Sequence, residues 1–172
     1  MKIKAVGFIA VFTSIFLATP QLTQASDSNS QLADFEGSLI DLSTDWGEAK
    51  ACWSDGETAE CFRTESQMDS HINQRFTLKA AAVTCATSVK LYSNTSYGGS
   101  VLSLVTRTVP INLSAYGFDN LTSSYVIGSC SALFYDYANN VSPTYPGSTT
   151  ANSSAASMST GWDNRVSSIY IS

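Results

Sequence analysis

Apolar and polar residues in the second half of the chain come in short runs, broken every few positions by Gly, Asn or Pro. From residue 85 onward Ser, Thr, Val, Tyr and Ile dominate, a composition that favours strands over helices. The runs predict strands near 87–93, 99–105, 123–129, 130–137 and 167–172. In the last of these Ser167, Ile169 and Ile171 share a face, and Tyr125 and Ile127 match Ile169 and Ile171 in an earlier run. Both strands therefore turn the same side inward. Residues 112–117 suit a single helical turn. The stretch 148–160, rich in Ser, Ala and Thr, reads as a long surface loop.

The first half is written differently. Residues 33–60 mix acids with Trp46 and Trp53 and show no clear period. Thr64 and Gln67 then form a Thr-x-x-Gln capping pattern. Met68, Ile72 and Phe76 recur at four-residue spacing. That pattern predicts a short amphipathic helix over 65–75. A helix this short is marginal alone in water, so its Met68/Ile72 side should pack on the rest of the molecule. The small polar run 26–32 reads as a disordered start.

Two stretches repeat. Gly117-Phe118-Asp119-Asn120-Leu121-Thr122-Ser123-Ser124 aligns with Gly161-Trp162-Asp163-Asn164-Arg165-Val166-Ser167-Ser168, 44 residues later. Upstream, Tyr92 and Tyr97 precede Gly99-Ser100, and Tyr135 and Tyr145 precede Gly147-Ser148. Cys85 and Cys130 open the two units. Residues 85–172 thus form two units of about 44 residues, a duplication that constrains the fold more than any single residue. The second unit carries extra residues between its aromatics, which predicts a stretched hairpin around Asn139–Thr144.

The segment Tyr92-Ser93-Asn94-Thr95-Ser96-Tyr97-Gly98-Gly99, with Asp119–Ser124 and Asp163–Ser168, resembles the signature of βγ-crystallin domains. The resemblance covers 85–172. It implies an all-β sandwich of two four-stranded sheets built from two Greek-key motifs, here preceded by an acidic extension, 26–84, that carries the short helix. It also implies two calcium sites shared between the motifs. Their ligands would come from Asp119, Asn120, Leu121 and Ser123, from Asp163, Asn164, Arg165 and Ser167, and from Ser93 and Asp136 in the hairpins. Leu121 and Arg165 would contribute backbone carbonyls.

The residue chemistry agrees with a hard cation. Calcium takes six to eight oxygen ligands, and Asp, Asn, Ser and loop carbonyls supply them. Residues 85–172 hold three acids, Asp119, Asp136 and Asp163, and two of them stand at the repeated positions. With so few carboxylates the expected affinity is that of extracellular modules, on the order of 10⁻⁴ to 10⁻³ M. Phe118 and Trp162, beside the Asp-Asn pairs, are expected in the core, and Tyr92, Tyr97 and Tyr145 in hairpin folding.

Charge and composition remove other functions. Eleven of the fourteen acids fall between Asp27 and Asp69, while 85–172 balances three acids with Lys90, Arg107 and Arg165. With no basic patch, a nucleic-acid partner is not expected. His71 is the one histidine, too few for a His-based zinc site, and no phosphate loop or nucleophile–base spacing occurs, so the chain does not read as an enzyme.

The first 25 residues read as a signal peptide: Lys2 and Lys4, an apolar run from Ala5 to Ala18, and a cleavage position at Ala25. Its removal leaves a secreted chain with no membrane span. In that compartment the four cysteines suggest two disulfides. Cys52–Cys61 and Cys85–Cys130 are favoured among three connectivities, with Cys61–Cys85 the competitor. The second bridge would be worth roughly 4 kcal/mol in the chain-entropy model. The expected partner is then calcium, and the expected role is structural or adhesive, outside the cell. The alternative on the same scaffold is an inhibitor of a secreted metalloprotease. Cys61–Asp69 has a short resemblance to sequences preceding such inhibitor domains, and Asn139–Gly147, with Pro143 and Pro146, is its candidate inhibitory loop.

Overall fold

The computed structural model describes residues 30–78, 88–106 and 108–172. The segment read as a signal peptide, Cys85 and therefore the Cys85–Cys130 pairing lie outside the described residues. Cys130 is itself disulfide-bonded, and Cys52 is bonded to Cys61.

Twelve strands and one helix are described in chain order: β1 Leu32–Phe35, β2 Ser38–Asp41, β3 Ala51–Ser54, β4 Ala59–Phe62, α1 Glu65–Leu78, β5 Val89–Asn94, β6 Gly98–Leu104, β7 Ile111–Asn112, β8 Ser124–Val126, β9 Ala132–Tyr137, β10 Val141–Thr144, β11 Ser154–Ala155 and β12 Ser168–Ile171. They form two sheets, in the orders β11-β8-β5-β6-β3-β4-β1-β2 and β10-β9-β12-β7. The duplication is visible in this order. Strands β5, β6 and β8 of the first unit lie in the first sheet while its β7 crosses to the second. Strands β9, β10 and β12 of the second unit do the reverse, with β11 crossing back. This exchange of one strand each is the Greek-key arrangement. It makes neither unit complete alone.

The two inner faces enclose one apolar core. Leu91, Tyr125 and Ile127 from the first sheet meet Phe134, Ile169 and Ile171 from the second, with Tyr145 and Trp162 closing one side. Tyr125, Phe134 and Ile169 are almost fully buried, and Tyr125 meets Phe134 edge-on at 5.1 Å between ring centres.

The acidic extension continues the first sheet. Strand β3 pairs in parallel with β6, Ala51 opposite Val101 and Ser54 opposite Leu104, and antiparallel with β4. Helix α1 then lies over the outer face of this sheet, with Met68 and Ile72 packed on Ala51, Trp53, Tyr92 and Val101. Two hydrogen bonds cap its start: the Thr64 N–H donates to Gln67 Oε1 at 3.2 Å and the Gln67 N–H to Thr64 Oγ1 at 3.3 Å. Lys90 Nζ, on β5, donates to Glu65 Oε1 and Asp69 Oδ2 at 2.7 and 2.9 Å, and the Tyr92 hydroxyl to Glu65 Oε1 at 2.7 Å. The helix runs three residues past its predicted end. Residues 30–32 are held in place, with the Gln31 N–H on Ala115 O at 2.9 Å.

The second hairpin differs from its sequence-based expectation. Tyr97 N–H donates to Ser124 Oγ, which donates to Asn94 O; Asn140 N–H donates to Ser168 Oγ, which donates to Tyr137 O. The hairpins are therefore equal in length, and Asn140 occupies the place of Tyr97. Both turns need positive φ at two successive residues, 57° and 59° at Ser96 and Tyr97, 57° and 61° at Asn139 and Asn140. Asn enters that region at low cost. Tyr145 instead follows β10 and enters the core. Residues 141–144 are a strand paired with β9, so the segment proposed as an inhibitory loop is largely sheet edge.

Candidate metal centre

Each Asp-Asn loop is anchored by the aromatic before it. Leu113–Tyr116 form the predicted helical turn, closed by Gly117 at φ 59°. A methyl group at Gly117 would overlap the carbonyl oxygen of Leu42, so glycine is required by conformation and by contact. Phe118 is 1% exposed and stacks on Trp46 at 5.6 Å. Trp162 is buried in the other copy and meets Tyr145 edge-on at 5.4 Å. Beyond these anchors Asn120 and Asn164 adopt matching left-handed conformations, φ 55° and 53°.

The loops then interlock. The Asn120 N–H donates to Val166 O and the Asn164 N–H to Thr122 O, both at 3.0 Å. The Ser123 hydroxyl donates to Asn164 Oδ1 at 3.2 Å, and the Ser167 hydroxyl to Asn120 Oδ1 at 3.3 Å. Asn120 Nδ2 donates to Asp119 Oδ2 at 3.2 Å, which turns the Asn120 amide oxygen toward Ser167. Ser123 N–H also bonds Tyr92 O, and Ser167 N–H bonds Tyr135 O, each at 2.9 Å. These bonds tie each serine to a hairpin strand, at the residue before Ser93 in the first unit and before Asp136 in the second.

Two pseudo-equivalent centres result. The first pairs Ser123 with Asn164, and Ser93 follows Tyr92, whose carbonyl accepts the Ser123 N–H. The second pairs Ser167 with Asn120, and Asp136 follows Tyr135, whose carbonyl accepts the Ser167 N–H. Asp119 and Asp163, which precede Asn120 and Asn164 in the chain, are exposed. The first donor set fits calcium. Ions of this kind hold oxygens at roughly 2.3–2.6 Å, which separates neighbouring ligands by about 3 to 3.5 Å, and the Ser–Asn pairs have that spacing already. Among the described residues no cluster of three or more His, Cys, Asp or Glu occurs, so a metal here would be held mainly by neutral oxygens.

The centres differ in charge. Ser93 Oγ accepts the Ser100 N–H at 2.9 Å. Its counterpart Asp136, with a side chain 9% exposed, receives Arg165 on both oxygens: Nε to Oδ1 at 2.8 Å and Nη2 to Oδ2 at 2.7 Å. That hydrogen bonding holds the Asp136 carboxyl below its ordinary range and raises the Arg165 guanidinium. The sequence called on Arg165 for its carbonyl and on Asp136 as a ligand; the pairing of their side chains was missed. Opposite charges are so scarce in this half that a pair among them was the available signal.

The chain is similar to βγ-crystallin domains of known structure. One from Ciona intestinalis is 20% identical over 49% of this chain and 99% of that chain, with a TM-score of 0.42. One from Flavobacterium johnsoniae is 24% identical over 49% and 92%, with a TM-score of 0.39. One from Clostridium beijerinckii is 17% identical over 49% and 95%, with a TM-score of 0.41. No family model and no curated protein matches the chain. The matched share is about half of this chain. The reading of the metal centre rests on this chain's own residues.

Proposed function

We propose that this is a secreted calcium-binding module of βγ-crystallin type with a structural or adhesive role outside the cell. The observation that carries the reading is the reciprocal approach of Ser123 to Asn164 and Ser167 to Asn120. These contacts bring hard oxygens from two distant segments to ligand spacing. Calcium there would clasp the two Greek keys. Because the unfolded chain does not bring these oxygens together, the ion would stabilise the fold by mass action.

The test is thermal unfolding of the secreted protein in millimolar calcium and in excess chelator. Calcium at ten times its dissociation constant is worth about 1.4 kcal/mol, a shift of roughly 3–6 °C for a chain of this size. Asn164→Ala should lose most of the calcium-dependent increment, whatever it does to the melting temperature in chelator. Superimposed wild-type curves in calcium and chelator would refute the metal reading and leave the fold standing.

A further inference from the structure

We infer that the second centre carries its own cation, the Arg165 guanidinium, and that the module binds one calcium ion per chain, at the Ser123–Asn164 centre. The inference rests on the calcium reading above and deepens it.

The argument begins with the position of Arg165. It stands in the second motif where Leu121 stands in the first. Leu121 is 43% exposed and presents no charge to its centre. Arg165 folds back and engages both oxygens of Asp136 at 2.8 and 2.7 Å. Such fork-to-fork pairing satisfies the directional lone pairs of a carboxylate. The guanidinium is held from other sides too. Its Nη1 donates to Gly161 O at 3.3 Å, and its Cζ lies 5.4 Å from the Trp162 ring centre, within cation–π range. Gly161 and Trp162 belong to the same motif, so the loop that builds the centre also fixes the group that blocks it.

A calcium ion using Asp136 would have to displace this guanidinium and leave it without its carboxylate. It would also approach a resident positive charge. The first centre has neither obstacle, because Ser93 replaces Asp136 and Leu121 replaces Arg165. The duplicated halves thus share a backbone and differ in what they accept.

Equilibrium dialysis of the full secreted chain against calcium chloride at constant ionic strength tests this. At saturation the wild type should bind one ion per chain, and Ser123→Ala should bind none. Arg165→Leu, which copies the first motif, should bind two, as should Arg165→Gln, included in case the leucine variant misfolds; circular dichroism checks that each variant keeps its strands. Two ions on the wild type, or one on both folded Arg165 variants, would overturn the inference while leaving calcium binding intact. No ion on the wild type or on either folded Arg165 variant would overturn the calcium reading and the inference together.

Discussion

At the scale of residues, the centre is a matter of oxygens placed by backbone. Asn120 and Asn164 suit their positions because asparagine tolerates the left-handed turn and carries a carbonyl oxygen on a short arm. Away from the centre, Lys90 shows how a single charge ties two layers. Burial would lower its pKa, but the hydrogen bonds it donates to Asp69 and Glu65 outweigh that and raise it. Tyr92 beside it is also raised, first by burial and then by its bond to Glu65. For both groups the unfolded chain loses its proton first, so stability should be complete below about pH 10 and fall as pH climbs further. Tyr116 and Tyr125, raised chiefly by burial, act in the same direction. Urea denaturation of a Lys90→Met, Tyr92→Phe double variant between pH 8 and 11 should therefore show a shallower decline than the wild type. An identical slope would mean that these two groups do not contribute.

At the scale of elements, what the sequence revealed depended on how each strand is covered. The repeated strands β8 and β12 were legible because Tyr125 and Ile127 match Ile169 and Ile171 and turn the same side to the core. Strand β3 was not: all four of its residues are buried, one face by the sandwich and the other by α1, so no alternation remains to be read. The second hairpin misled for another reason. Aromatic spacing aligned Tyr145 with Tyr97, while the turn itself required only residues able to adopt positive φ, and Asn139-Asn140 met that need. The two Asp-Asn loops were legible as a pair because their spacing is repeated. The Asp136–Arg165 bond joins different loops and has no sequence period. Helix α1, by contrast, announced its start through Thr64 and Gln67. Thr64→Ala should cost about 1 kcal/mol, read as a lower urea midpoint with unchanged slope.

At the scale of the whole molecule, the extension and the duplicated units form one sheet system. Trp46 stacks on Phe118 and donates its indole N–H to Tyr116 O at 2.9 Å. Leu42 covers Gly117, and Trp53 lies beneath α1 beside the Arg75 guanidinium, 4.9 Å from its ring centre. With two of three tryptophans in the extension and Trp162 in the second unit, fluorescence samples both regions. Unfolding followed by tryptophan emission and by far-ultraviolet circular dichroism should share one midpoint. Separated midpoints would show that the extension melts independently.

Pairing of β3 with β6 has a consequence for how the twin halves tolerate change. Val101 on β6 is buried beneath the helix, while all four residues of β10, the corresponding strand, face solvent. Polar substitutions that β10 accommodates should destabilise the fold at Val101 on β6, so the two copies of the repeat differ in the changes they can absorb.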